Sequence, residues 1–418
     1  MNIRRHVAVL AAAGVALSLA ACGGGGTPEG TTTPTDTAQQ TSAPPADAGT
    51  ISIWVDETRT ADFKAIGDDF KTATGITLDV IQKPNADLKT DFIAQVPTGQ
   101  GPDLVVGAHD WTGDFVNNGV VAPVELGDQL KGMTPLTVSA FIFRGQSYGV
   151  PYAIENIALV RNNKMVSDTP ATFDELITQG KAAAGAEFPI VIQQGANGDA
   201  YHLYPLQTSF GAPVFKSDAN GEYTNELGMA GPEGTKFAEY LAKLGKDGVL
   251  SVNIGGDQAK QAFLDGKTPY IVTGPWNTGD FTKAGLDISV LPVPSAGGQP
   301  SAPFVGVQGV FLSAKSENVL LANQFLDFMT QKTTQDKLFE LGGRVPANAE
   351  SAAAVTDPIL KGFGEAGKDG QAMPAIPEMN AVWNFWGASQ AAIISGQATD
   401  PAAEWATMVK NIQAAFKS

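Results

Sequence analysis

From Ile51 onward the chain alternates between two hydrophobic periods. Ile51-Ser52-Ile53-Trp54-Val55 has the pattern of a strand; Phe63, Ile66, Phe70 and Ala73 then recur at helical spacing, and Gly75 is placed to end that helix. Ile76 to Ile81 predicts a second strand, Leu88, Phe92, Ile93 and Val96 a second helix, and Asp103 to Val106 a third strand. Strand, helix, strand, helix, strand implies parallel βαβ units with helices on the sheet faces. The alternation returns with strands at Phe188–Gln193 and Thr268–Thr273 and helices around 172–184 and 232–246. Asp400-Pro401 marks a further helix start, an N-cap followed by proline at the first helical position. No internal repeat is visible, and an α/β architecture in two lobes suits the 418 residues.

The pattern before Ile51 is of another kind. Arg4 and Arg5 precede an apolar run, Val7 to Ala21, broken only by Gly14 and Ser18. That run is short for a hydrocarbon core of about 30 Å but suits the apolar region of a signal peptide, expected over residues 1–21. Leu19-Ala20-Ala21-Cys22 resembles a bacterial lipobox, cleaved before the cysteine, whose thiol is then lipidated. Cys22 is the only cysteine of the chain, and four glycines follow it. Residues 23–50 hold six Gly, eight Thr and four Pro, with no aromatic or basic side chain, so 22–50 is expected to be a lipidated cysteine with a disordered tether.

Composition excludes more than it suggests. One cysteine rules out an intramolecular disulfide or a cysteine zinc cluster, and three histidines leave little for a metal site. No metal or cofactor is expected. The formal charge of −16 becomes −18 once the leader, with two arginines and no acid, is removed. Nucleic acid is therefore an unsuitable partner, and an anionic lipid surface would repel the domain; acyl chains must hold it there.

Several segments carry a resemblance. Gly101-Pro102-Asp103 with Ala108-His109-Asp110, Tyr148-Gly149-Val150-Pro151-Tyr152-Ala153-Ile154-Glu155, Gly274-Pro275-Trp276, Gly298 to Val307, and Ile376 to Trp383 run in the order found in bacterial maltose-binding proteins. These are carbohydrate-type solute-binding proteins of ABC importers. The resemblance implies the two-lobed periplasmic-binding-protein fold, with chain crossings between lobes near Ala153–Asn156, Pro303–Val307 and 351–361 and a ligand cleft between them. It places 51–154 plus 306–352 in one lobe and 155–305 plus 353–418 in the other. It further implies a monomer on the extracytoplasmic face of the membrane, anchored through Cys22. That monomer would close on maltose, maltodextrin or a related α-glucoside and hand it to membrane permease subunits.

A sugar site needs carboxylates to accept hydroxyl protons and aromatic faces to stack on pyranose rings. The resemblance assigns those roles to Glu57, in preference to Asp56, with Arg59 beside it; to Asp110 and Glu155; to Asp199 and Tyr201; and to Trp276 and Trp383. Asp56 alone reads equally as part of an N-cap cluster, and Glu155, after an apolar run, needs a partner or a cleft. The pattern departs at Gly107, where the family has a stacking tryptophan, and at Trp111, where it has a basic residue. An aromatic has moved along the loop and a positive charge is lost, which keeps trehalose open beside maltose. Trp54 and Trp405 read as core, Trp386 as either, and His109 as structural.

Paired carboxylates among aromatics also describe a glycoside hydrolase acting on α-glucans. Gly145-Gln146-Ser147-Tyr148-Gly149 formally matches the G-x-S-x-G nucleophile elbow. That elbow runs from strand into helix, whereas these flanks predict a turn between two strands. The enzyme reading is the lesser one.

Overall fold

The structure, a computed structural model, describes residues 48–218 and 223–416. The expected leader, Cys22 and most of the expected tether lie outside the described residues. The first strand, Gly49–Val55, takes in the last two residues assigned to the tether, because Gly49 and Thr50 already pair with Ile76 and Thr77. Ladder hydrogen bonds are made by the backbone, so a glycine and a threonine extend the strand without adding to the apolar signal.

Two sheets organise the rest. The first runs in the order Val345–Pro346, Gly149–Asn156, Phe304–Ser313, Leu104–Ala108, Gly49–Val55, Ile76–Gln82. Gly49–Val55 is parallel to both of its neighbours, and Phe304–Ser313 is antiparallel to the strands on either side. The second runs Ile288–Leu291, Ala158–Asn162, Tyr270–Thr273, Val191–Ile192, with the last pair parallel. Both are covered on two faces, which is why their strands read as nearly continuous apolar runs. In the first sheet Ile51, Ile53, Leu104 and Val106 enter one core while Trp54, Val105 and Phe311 enter another. In the second sheet Leu159, Ile192 and Val272 part in the same way from Val160, Val191 and Ile271.

The chain passes between sheets at Ile157, which separates Gly149–Asn156 from Ala158–Asn162. It returns between Leu291 and Phe304. After Val345–Pro346 it crosses again, and helix Pro358–Ala366 buries Leu360, Phe363 and Ala366 against Val290 of the second sheet. Helices Pro232–Lys246, Glu378–Ile394 and Pro401–Ala415 then pack together over the opposite face, where Trp386 and Trp405 are fully buried. Trp386 donates to Gln207 Oε1 at 2.9 Å and Trp405 to the Met229 carbonyl at 2.9 Å, so each buries its ring without orphaning its N–H.

Local signals account for the turns. Asp400 caps its helix by accepting from Ala403 N–H at 3.0 Å. The G-x-S-x-G segment is a hairpin of Ile142–Phe143 with Gln146–Ser147, turned through Arg144 and Gly145, both at positive φ. Ser147 lies in a strand and its hydroxyl faces the Gly149 carbonyl. The strand expected over Phe188–Gln193 shrinks to Val191–Ile192, because Pro189 has no N–H to give a ladder.

Candidate functional site

Strands Gly49–Val55, Leu104–Ala108 and Gly149–Asn156 all point the same way in the first sheet, so the residues at their carboxyl ends share one edge. Asp56, Arg59, Asp110, Trp111 and Glu155 collect there. Val191–Ile192 and Tyr270–Thr273, parallel in the second sheet, likewise carry Asp199 and Tyr201 on one connection and Trp276 on the other. Carboxyl ends of strands are where α/β sheets place ligands.

The floor of the first edge is ionic. Arg59 donates from Nη2 to Glu155 Oε1 at 2.8 Å and from Nε to the Tyr152 hydroxyl at 2.8 Å, and Nη1 pairs with Asp56. Glu155 also accepts from Gln308 Nε2 at 2.7 Å and from Arg344 Nε at 3.0 Å. Arg344 reaches on to Thr58 Oγ1 at 2.9 Å and Asp62 Oδ2 at 3.4 Å. Burial works against the Arg59 charge, but Tyr152, Glu155 and Asp56 outweigh it and raise its pKa. Burial likewise opposes ionisation of Asp56, and Arg59 and Thr58 reverse the balance, lowering its pKa. Both oxygens of Glu155 are occupied, so it acts here as the hub joining the two strands that lead into the second sheet.

Glu57 stands apart from this hub. It is exposed, and its carboxylate accepts from Asn85 N–H at 3.0 Å, at the start of helix Asn85–Gln95. Asp56, not Glu57, is the carboxylate in the buried network. It is 3 % exposed, and its Oδ1 is held by the Thr58 N–H and hydroxyl at 2.8 and 2.7 Å.

Asp110 is different from the other carboxylates. Its Oδ1 is buried and has no partner among the described residues. Burial pushes its pKa up to about 6, with Lys89 and the Trp383 indole opposing. Nor does it cap a helix: it lies inside the short 3-10 helix His109–Trp111, and neither that helix nor Thr112–Asn117 after it has a side-chain cap bond. Lys89, on helix Asn85–Gln95, pairs with Asp114 at 3.0 Å and donates to Asn380 Oδ1 at 3.2 Å. Lys89, Asp110, Asp114, Asn380 and Trp383 line one narrow crevice.

The departure at Gly107 has a spatial explanation. A Cβ on residue 107 would lie 2.4 Å from Trp111 Cε3 and 2.6 Å from Cζ3. The Trp111 ring therefore occupies the space a side chain at 107 would take, and the glycine is what admits it. The lost charge has a counterpart too, since Lys89 acts on Asp110 from another helix.

The six tryptophans divide evenly. Trp54, Trp386 and Trp405 are 4 %, 0 % and 1 % exposed, whereas Trp111, Trp276 and Trp383 are half-buried, each keeping ring surface outside the core it packs on. Tyr201 is also half-buried, and its phenol pKa is raised by burial and by the carboxylates of Glu155, Asp199 and Asp110, which puts it electrostatically among residues of both sheets. Asp199 caps helix Ala200–Thr208 through Oδ1, which accepts from His202 N–H at 3.0 Å; Oδ2 accepts from Gln193 Nε2 at 2.6 Å and is 2.9 Å from His202 Nδ1.

His109 is structural. Its Nδ1 accepts from Val307 N–H at 3.1 Å and its Nε2 donates to the Met373 carbonyl at 2.9 Å. Burial pushes its pKa down to about 4, so it stays neutral and ties three chain segments together. Sequence reasoning missed Arg344, Gln308, Lys89 and His202. Only Arg344 had a signal, an arginine placed between Gly342-Gly343 and an apolar strand.

Comparison with known proteins adds the following. A family model described as bacterial extracellular solute-binding protein matches residues 65–375. A maltotriose-binding protein of Pyrococcus abyssi is 30% identical over 323 residues, 72% of this chain and 67% of the relative. A galactooligosaccharide-binding protein of Bacillus subtilis is 26% identical over 413 residues, 94% of each chain. The solved Thermus thermophilus maltotriose binding protein bound with maltotriose superposes with a TM-score of 0.81 at 30% identity, covering 88% of this chain and 100% of the other.

Proposed function

Because the chain belongs to the bacterial extracellular solute-binding protein family, we propose that it is the sugar-capturing subunit of an ABC importer and takes maltooligosaccharides. The observation that carries this is Asp110, whose buried Oδ1 has no partner among the described residues and which shares a crevice with the half-buried Trp383, next to the half-buried Trp111. A glucose ring stacks on indole, and an ionised carboxylate oxygen accepts its hydroxyl. In this reading Asp110, Trp111, Tyr201, Trp276 and Trp383 touch the sugar, and Arg59, Glu155 and Asp199 shape the site beneath it. Glu57 reaches ligand only at the rim.

The protein binds and does not hydrolyse. A glycosidase needs two carboxyls free to act across the scissile bond. Among the described carboxylates gathered beneath the site, Glu155, Asp199 and Asp56 are each engaged by several donors and Asp114 is paired with Lys89, whereas Asp110 Oδ1 has no partner.

Outside the membrane, closure of the two lobes around the ligand would present the permease with a distinct surface. Cys22, in its lipobox-like context, would anchor the mature chain, a monomer, through acyl groups. Isothermal titration with maltose, maltotriose, maltotetraose, trehalose and galactooligosaccharides tests the assignment. Saturable binding of the maltooligosaccharides supports it; binding of galactooligosaccharides alone would replace the substrate, and recovery of shortened sugar would restore the hydrolase.

A further inference from the structure

If the cleft binds sugar as proposed, one buried histidine beside it is left with an open acceptor. His202 lies in the first turn of helix Ala200–Thr208 and is 6 % exposed. Its Nδ1 is 2.9 Å from Asp199 Oδ2. An ionised carboxylate only accepts, so Nδ1 carries the proton, and in the neutral ring Nε2 is left with a lone pair. That Nε2 is buried, and no described residue partners it. The contrast with His109 is direct, since both nitrogens of that ring are occupied by backbone.

The surroundings of His202 are those of the candidate site. Its ring stands edge-on to Tyr201 at 5.4 Å and 79° between centroids and planes, and to Trp276 at 6.2 Å and 86°. Both rings are half-buried. Asp199 cannot easily serve as the hydroxyl acceptor beside them, because its oxygens already receive two N–H groups besides the imidazole.

We infer that His202 Nε2 is a specificity-determining acceptor of a hydrogen bond from a hydroxyl of a sugar ring lying on Trp276 and Tyr201, with Asp199 as the positioning residue that fixes its tautomer. A carboxylate, acceptor only, orients a ring whose far nitrogen then distinguishes a hydroxyl from a hydrogen or a fluorine at one ring position. Sites that hydrogen-bond a particular hydroxyl reject analogues lacking it, because the buried acceptor is then left unpaired.

The mature chain makes the test simple. Of the three histidines, His6 lies in the expected leader, leaving His109 and His202. Long-range proton–nitrogen NMR of the imidazoles is recorded on the wild-type mature protein with and without maltotriose. The inference predicts that the His202 Nε2 resonance moves on saturation while both His109 nitrogens stay in place. His202→Phe should weaken maltotriose binding about fivefold to tenfold, the effect of one buried hydrogen bond, and should discriminate less between maltotriose and its monodeoxy analogues. His202→Gln, which restores an acceptor, should recover part of the discrimination. If wild-type protein binds maltotriose with Nε2 unmoved, the inference is overturned and the sugar reading stands. If wild-type protein fails to bind maltotriose, both fall. The wild-type spectrum decides even if His202→Phe does not fold.

Discussion

Replacing Asp110 by asparagine separates what this residue does for binding from what it costs the fold. Burial raises its carboxyl from 3.8 to about 6. The side chain is nearly isosteric with asparagine but titrates, so the variant removes the charge and little else. A folded-state pKa above the unfolded one means the folded protein favours the protonated acid. The associated stability is fully present below about pH 4 and is lost as pH rises through about 6. A shift of that size corresponds to about 3 kcal/mol at about 1.4 kcal/mol per tenfold change in proton affinity. Urea denaturation of wild type and Asp110→Asn across pH 4 to 8 measures it, since other titrating groups cancel in the difference. Relative to the variant, wild type should lose about 3 kcal/mol between pH 4 and pH 7.5. Maltotriose should bind wild type more tightly as pH rises through 6 and bind Asp110→Asn weakly throughout. A stability difference that stays flat over that range would refute the claim that burial holds this carboxyl high.

Further outcomes follow from the same geometry. Gly107→Ala places a Cβ 2.4 Å from Trp111 Cε3, so the indole must leave its seat; calorimetric titration should show maltotriose affinity lowered by about 1 kcal/mol with little change in melting temperature. Glu155→Gln leaves Arg59 and Arg344 buried against a neutral amide, and denaturant titration should show a loss of about 3–5 kcal/mol; an unchanged midpoint would mean that solvent already screens the pair. Lys89→Met removes the charge that opposes protonation of Asp110, so the pH midpoint of maltotriose binding should move upward. Cys22→Ala should transfer the protein from the membrane fraction to the soluble one, as fractionation and acyl labelling would record.

The sequence made the framework readable where burial is regular. Helix Pro232–Lys246 and the strand near Ile76 matched their patterns closely because each keeps one period along its length. The strand near Phe188 did not, since proline and loop hydrogen bonds overrode its apolar composition. Within the site, the tryptophans at 276 and 383 stood out through their motifs, and the exchange at 107 and 111 was visible as an anomaly. Its resolution was not, because seeing one ring fill the space above a glycine requires the loop in three dimensions. Partners far apart in sequence were the hardest to foresee. Glu155 meets Arg344 across 189 positions, and nothing local to either announces the other. Which of Asp56 and Glu57 joins the buried network was not legible either: adjacent residues at a strand end point to opposite sides, Asp56 to the buried arginine and Glu57 to solvent.

A crystal structure of the mature chain with maltotriose tests the central claim most directly. Glucose rings should lie against the exposed faces of Trp111, Trp276 and Trp383, with one hydroxyl within hydrogen-bonding distance of Asp110 Oδ1. Sugar bound elsewhere on the molecule, or a cleft that excludes maltotriose at saturating concentration, would contradict it.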